Sequence, residues 1–515
     1  MKVLIVSYFT KWVTHLGTEL ELAEQHLSNG DSVTFLTCDG SIGACMANPA
    51  GDKDKCRECI LRRTDGIMEL SGDVKMYPLG APIITREALA NSYLSNPPKI
   101  DDYKKLKYKG YDLGWGALSS AIKLHRDPLC DSKAAMQSAE TYLATATRSY
   151  EGTRNFLRNR SDFERAYVFN GRFAETRGAL RAIQSKKIQV FTHERGSSIH
   201  HYQLYLDSLP HNLELFRKNL QKSWANAKDA ASRNETANQF YLARRNGNPL
   251  NWISFTEKQE AGNMPAEWDS EKRNIVIFNS SEDEFAAIGD MWTNPVYSSQ
   301  AEAVRKITAD TLGKKPDVHY YLRIHPNLSG VENSSLENLL AVQAPNLTTI
   351  GADDNISTYA LLDACDCVMT FGSTVGVEAT YWGKPSILAG MSYYCQLDIA
   401  YEAKSHNEVI GFLLDENLVP KSRHGALKYG YYLRTRGIPF KYWMPNDFSS
   451  GSFGNLFMDN EVYHTNNRPP LHVKLFLFLV GYCRSKRLLC LADIIAGSLS
   501  TAHRRLAKML SLIRV

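Results

Sequence analysis

Between Cys367 and Leu388 the chain runs CVMTFGSTVGVEATYWGKPSIL. An apolar run breaks at Gly372, Ser373 and Thr374 before a helical segment that carries one acid, Glu378. Glycine lets backbone approach a ligand closely. Hydroxyls at a helix N-terminus add donors to unpaired N–H groups and positive dipole, which suits an anion such as phosphate. Glu378 lies four residues after Thr374, on the same helix face, where a carboxylate can accept hydrogen bonds from the vicinal hydroxyls of a sugar. The same residue types also serve helix stability alone, as an N-cap and a first-turn acid. A second strand end, LRIHPN, places His325 before Pro326, which stiffens the backbone that follows. A neutral imidazole donates to phosphate, and a protonated one adds charge. Two such strand ends in one domain, in the right order, favour a ligand site over a structural histidine.

The elements that position these residues alternate between strands and helices, the pattern of a mostly parallel sheet. At 515 residues the chain exceeds what one hydrophobic core supports, so two domains are expected. KVLIVSYF, GTELELAEQHLSNG and DSVTFLTC open as strand, helix and strand; RAYVFNGR and KIQVFTHERG follow as two more strands. Residues 60–160 are expected to be helical and irregular, and 205–250 a polar helical connector. The series then repeats more clearly from RNIVIFNSSEDEF through VHYYLRIHPNL and CVMTFGS to PSILAG. The expected fold is α/β, with two doubly wound Rossmann-like domains facing across a cleft. The expected boundaries are 1–250, 251–420 and a C-terminal extension over 421–515. Ligands of such sheets bind beyond the carboxyl ends of the strands. Polar clusters stand there at Asp39, Asn170-Gly171-Arg172, His193-Glu194-Arg195, Ser280-Ser281-Glu282, His325-Pro326 and Gly372-Ser373-Thr374.

Residues Asn274 to Cys395 resemble the donor-binding half of GT-B glycosyltransferases, in particular the bacterial capsule and surface-polysaccharide group with its His-Pro motif. Residues 1–60 and 165–200 share the resemblance weakly, and 400–515 do not share it. It implies that His325 and Pro326 contact donor phosphate and that Ser280 and the Gly372-Ser373-Thr374 turn face the same ligand. It also implies that Glu378 holds the nucleotide ribose, that the donor is a nucleotide-sugar such as a CMP-linked one, and that catalysis needs no metal. A carboxylate at the cleft is expected to deprotonate the acceptor or assist the anomeric centre, with Glu194 and Glu282 as candidates. Arg172 and His193 are placed on the acceptor side, although Arg172 also suits a structural ion pair. The implied product is a bacterial surface polysaccharide or a lipid-linked glycan. A CDP-polyol phosphotransferase of teichoic-acid type, a nucleotide-sugar epimerase and a non-catalytic scaffold of the same shape are the competing readings.

Composition narrows the rest. A hydrophobic fraction of 43% and a charged fraction of 22% are ordinary globular values, which excludes global disorder. A net charge of +5 is too small to argue for nucleic acid. The apolar start is short and lacks a cleavage site, so it is expected to be a strand rather than a signal peptide. Ten cysteines in the chain fall short of disulfide density and fit a cytoplasmic protein. Four of them, Cys38, Cys45, Cys56 and Cys59, cluster as C-x6-C-x10-C-x2-C in the loop 38–59. They are a candidate ligand set for a structural zinc, with free thiols as the alternative. Residues 471–515 carry eight Lys or Arg and a single acid, Asp493. Their apolar run from Leu475 to Cys483 is too short to span a bilayer. This composition predicts a peripheral segment on the anionic inner face of the plasma membrane, or a helix pair packed on the protein.

Overall fold

Val3 to Val6 are buried throughout, because a strand in the middle of a parallel sheet is covered on both faces and so reads as a continuous apolar run. That strand, β1 (Lys2–Ser7), pairs in parallel with β2 (Ser32–Thr37) on one side and β4 (Arg165–Phe169) on the other. β3 (Lys75–Pro78) extends the sheet beyond β2, and β5 (Gln189–Arg195) extends it beyond β4. The parallel order is therefore β3-β2-β1-β4-β5, with β6 (His201–Leu206) closing it antiparallel to β5. The computed structural model describes residues 1–160, 162–248 and 258–460.

A second sheet is parallel throughout. It comprises β7 (Arg273–Phe278), β8 (Val318–Arg323), β9 (Leu347–Ile350), β10 (Cys367–Thr370), β11 (Ser386–Leu388) and β12 (Tyr401–Glu402), in the order β12-β11-β10-β7-β8-β9. Its core holds Ile275, Ile277, Tyr320, Leu322, Cys367 and Met369 on one face and Val276, Phe278, Tyr321 and Val368 on the other. The alternation of adjacent residues between faces follows from the strand's period of two. Both units are doubly wound α/β folds, as expected from the sequence.

The division of the chain differs from the expected 250 and 420. Among the described residues, the first unit comprises 1–124, 132–210 and 437–460, and the second 125–131 and 211–436. Helices Leu213–Ala225 and Ala230–Arg245, expected to end the first domain, pack within the second. Their average polarity hides a buried stripe of Phe216, Leu220, Ala237, Phe240 and Tyr241. Tyr241 stacks on Tyr381 at 3.8 Å, and helix Arg423–Thr435 adds Tyr429 and Tyr432 to the same cluster.

After that helix the chain returns to the first unit. β13 (Ile438–Pro439) pairs with β6, and β14 (Trp443–Pro445), β15 (Ser450–Phe453) and β16 (Leu456–Asp459) form a small antiparallel sheet. Trp443 packs on Gly17 of helix Val13–Ser28 so closely that a Cβ at Gly17 would lie 2.3 Å from the indole. Glu21, buried on that helix, accepts the backbone N–H groups of Lys441, Tyr442 and Trp443. The basic segment 471–515 lies outside the described residues. Among the described residues, no helix is long and apolar enough to cross a membrane.

Candidate functional site

In the second sheet β7 and β10 are neighbours, and the chain leaves them toward opposite edges, to β8 and to β11. Such a switch point opens a crevice beyond the strands' carboxyl ends. Ser280 follows β7 there and Gly372 follows β10. Gly372 has φ +149°, and a Cβ on it would lie 2.8 Å from the Met391 carbonyl and 3.5 Å from Ser280 Oγ. Only glycine fits that approach. The Ser280 loop is pinned by Gln300, whose amide oxygen accepts from Ser280 N and whose amide nitrogen donates to Ser280 O, each at 2.9 Å. Ser280 Oγ itself is buried without a hydrogen-bond partner among the described residues. A buried hydroxyl left in that state calls for a ligand or water to complete it.

His325 follows β8, next to β7, and its N–H donates to Asn279 Oδ1 at 2.6 Å. The ring's Nδ1 accepts from Asn327 N at 3.1 Å, which places the imidazole proton on Nε2. Burial, with the positive charges of Arg323, Arg126 and Arg244 adding to it, pushes the imidazole pKa down to about 4. The ring is therefore a neutral N–H donor near pH 7. Pro326 opens a short 3-10 turn after it. Arg126 is a nearby cation, its guanidinium donating to Asp283, to Ser281 Oγ at 3.0 Å and to the Asn327 carbonyl at 2.8 Å.

Glu378 is 2% exposed. Its Oε1 accepts from Arg244 Nε at 2.9 Å and its Oε2 from the Tyr359 hydroxyl at 2.5 Å. Arg244 Nη2 also reaches Thr374 Oγ1 at 3.2 Å. Thr374, the N-cap of helix Val375–Tyr381, makes no side-chain cap bond, and Ser373 Oγ meets Val375 N only at 3.4 Å. The stability role open to Thr374 from the sequence is thus not the one it plays: its hydroxyl faces an arginine. An ionised carboxylate has about four acceptor sites, so the two bonds made here leave capacity for sugar hydroxyls. Arg244, Tyr359 and Arg126 carry no sequence signal, because each lies far along the chain from the residue it serves.

Glu282 sits in the loop after β7, where its carboxylate accepts from Gln300 N at 3.3 Å and from the Ser335 hydroxyl. Those bonds brace that loop against two helix starts. In the first unit Glu194, near the end of β5, accepts from Asn170 Nδ2 and from Arg195 N. Asn170 and Gly171 both take positive φ, +52° and +75°, turning the chain sharply after β4. His193 is 1% exposed, and neither ring nitrogen has a partner among the described residues. Burial lowers its pKa to about 3. His15, missed in the sequence, stacks on Phe169 at 3.8 Å. Burial, then the nearby Arg195 and His193, hold it well below the usual imidazole range. Arg172 is buried, its Nε donating to Ser119 Oγ at 2.5 Å. The structure thus brings Ser280, His325, Gly372, Ser373, Thr374 and Glu378 to strand ends of one sheet, and Arg172, His193 and Glu194 to those of the other.

Cys38, Cys45, Cys56 and Cys59 are free thiols lining one cavity of about 440 Å³ in the first unit. Cys38 ends β2's run, Cys45 sits in a tight turn, and Cys56 and Cys59 lie one turn apart on helix Lys53–Met68. Burial, with the neighbouring Cys59 opposing ionisation, pushes the Cys38 thiol up to about 12. Among the described residues, no three His, Cys, Asp or Glu side chains are placed to hold one metal ion.

No family model and no curated protein sequence matches the chain. Solved structures do resemble it at low identity. The β-Kdo 2,4-transferase of Thermosulfurimonas dismutans KpsC matches with 14% identity over 52% of this chain and 78% of that one, at TM-score 0.36. The β-Kdo 2,7-transferase of the same KpsC matches with 16% identity over 55% and 79%, at TM-score 0.33. Arabidopsis thaliana UGT89C1 complexed with UDP matches with 12% identity over 83% and 93%, at TM-score 0.27. The two doubly wound sheets, rather than these likenesses, define the fold.

Proposed function

We propose that the protein is a glycosyltransferase that moves a sugar from a nucleotide-sugar to a surface-polysaccharide or lipid-linked acceptor. One observation carries this function: the second sheet's switch point gathers an unpartnered buried hydroxyl (Ser280), a glycine that admits backbone contact (Gly372) and a neutral imidazole N–H (His325). These are the groups that a donor's phosphates require: N–H and O–H donors at an uncluttered strand end. Glu378, held by Arg244 and Tyr359, takes the ribose hydroxyls. Ser373 and Thr374 are proposed to contact the donor between these two groups.

Glu194 of the first unit is proposed as the carboxylate that assists transfer, accepting the acceptor's proton or offsetting charge at the anomeric carbon. His193 and Arg172 belong to the acceptor side. The segment 471–515 is proposed to hold the enzyme on anionic lipid, near a lipid-linked acceptor, by its excess of basic residues.

Thermal-shift screening against CMP, CDP, UDP and GDP identifies the nucleotide, because a ligand of the folded form raises its melting midpoint. The sugar-linked form of the selected nucleotide is then incubated with enzyme. Release of free nucleotide, faster with a glycan acceptor than without, is the expected outcome. A nucleotide that binds but is never released from its sugar would leave a binding scaffold in place of an enzyme.

A further inference from the structure

The four clustered cysteines present a donor set without an evident use in glycosyl transfer. A single tetrahedral zinc holds thiolates at about 2.3 Å, which draws the four sulfurs to within about 4 Å of one another. No such grouping of even three ligands occurs among the described residues. Yet all four cysteines line one cavity, of about 440 Å³. A cavity of that volume has room for a guest larger than one ion. Iron–sulfur clusters are such guests, held by four thiolates and tuned by hydrogen bonds to the sulfurs.

The surroundings fit that guest. Gly40 N donates to Cys38 Sγ at 3.3 Å, and Asn48 Nδ2 to Cys56 Sγ at 3.3 Å. These two N–H donors offset part of the burial that holds the Cys38 and Cys56 thiols above their usual range. The Thr10 hydroxyl, which donates to the Cys59 carbonyl at 2.9 Å, also stands 2.7 Å from Cys59 Sγ. Lys11, Lys55 and Arg62 line the same cavity together with Glu58, and the positive charge of Arg63 favours the Cys38 thiolate. The frame is also fixed: Cys45 and Asn48 bridge backbone to backbone, and Asp52 caps the helix that carries Cys56 and Cys59.

We propose that Cys38, Cys45, Cys56 and Cys59 ligate an iron–sulfur cluster in the cavity of the first unit, tying the end of β2, its following loop and helix Lys53–Met68 together. The proposal stands on the first unit alone and is independent of the glycosyl-transfer function. Its test is metal and sulfide analysis of the full chain, purified without oxygen and again after incubation with ferrous iron and sulfide. Two to four irons with matching acid-labile sulfide are expected, together with a broad visible absorption that bleaches on reduction. Cys56→Ser with Cys59→Ser should lose the iron, the sulfide and the absorption. Cys395→Ser, at a buried cysteine of the second unit, should keep all three. Should the double variant fail to fold, the wild-type analysis still decides. Wild-type protein that takes up no iron and sulfide, or that holds one zinc per chain in their place, overturns the proposal. Nucleotide binding by the second unit is untouched by either result.

Discussion

Glu378 and Arg244 form an ion pair whose two halves differ in exposure, 3% for the carboxylate side chain and 37% for the guanidinium side chain. Removing one partner of a buried pair costs about 3–5 kcal/mol, since a charge is left buried and uncompensated. Arg244→Met leaves the deeply buried carboxylate with only the Tyr359 hydroxyl. Discounting for the solvent that already screens Arg244, the expected cost is about 2–3 kcal/mol. Glu378→Gln keeps the shape and an acceptor oxygen, and leaves behind an arginine that water can reach, so its expected cost is about 1 kcal/mol. The double variant should cost less than the sum, by about 1–2 kcal/mol of coupling. A chain of two units need not unfold in one step, so a global free energy is a poor measure. Amide exchange in β10, which precedes the Gly372 turn, reads opening of the second unit directly. Equal costs for the two single variants, or additive effects in the double, would refute the assignment of Glu378 as a buried charge held by Arg244.

Three further outcomes are expected. Gly376→Ala would place a Cβ 2.5 Å from Tyr394 Oη and 3.1 Å from Thr370 Oγ1, groups that bond each other at 2.7 Å; opening of the second unit, read by amide exchange in β10, should become easier by about 1–3 kcal/mol despite alanine's better helix propensity. His193 has a folded pKa near 3 against about 6.5 unfolded. The unfolded chain therefore takes up the proton first as pH falls below 6.5, and stability drops by up to about 1.4 kcal/mol per pH unit toward pH 3. His193→Phe should remove its share of the slope between pH 7 and 5 and leave the like contributions of His15 and His325, and an unchanged slope would show that His193 contributes none of it. Deleting residues 471–515 should abolish binding to liposomes of anionic lipid and leave the melting midpoint in place; binding that survives, or a chain that unfolds, would end the membrane assignment.

Most of the second sheet was legible in the sequence because buried parallel strands are unbroken apolar runs, and β7, β8 and β10 end in the polar residues Ser280, His325 and Ser373. β3, β6 and the β14–β16 sheet were not, because short and edge strands such as Lys75–Pro78 lack both a long apolar run and strict alternation. The ownership of helices Leu213–Ala225 and Ala230–Arg245 was also hidden. Their partners Tyr381 and Tyr429 lie far along the chain, so no local pattern names them. That is why Arg244 escaped notice while Glu378, its partner, did not. The cysteine spacing announced a cluster, but that all four line one cavity is a tertiary fact that spacing does not carry.

In the proposed function one nucleotide touches both His325 and Glu378, the first at phosphate and the second at ribose. Calorimetric titration with a nucleoside and its monophosphate, cytidine and CMP or whichever base the thermal screen selects, separates the two contacts. His325→Ala removes an N–H donated to an anion, about 1.5–3 kcal/mol, so the nucleotide should bind about 10- to 150-fold more weakly while the nucleoside binds as before. Glu378→Gln should weaken nucleoside and nucleotide alike, because both carry the ribose hydroxyls. Unchanged affinity for both ligands in both variants would rule out the shared nucleotide site and return these strand ends to caps and turns.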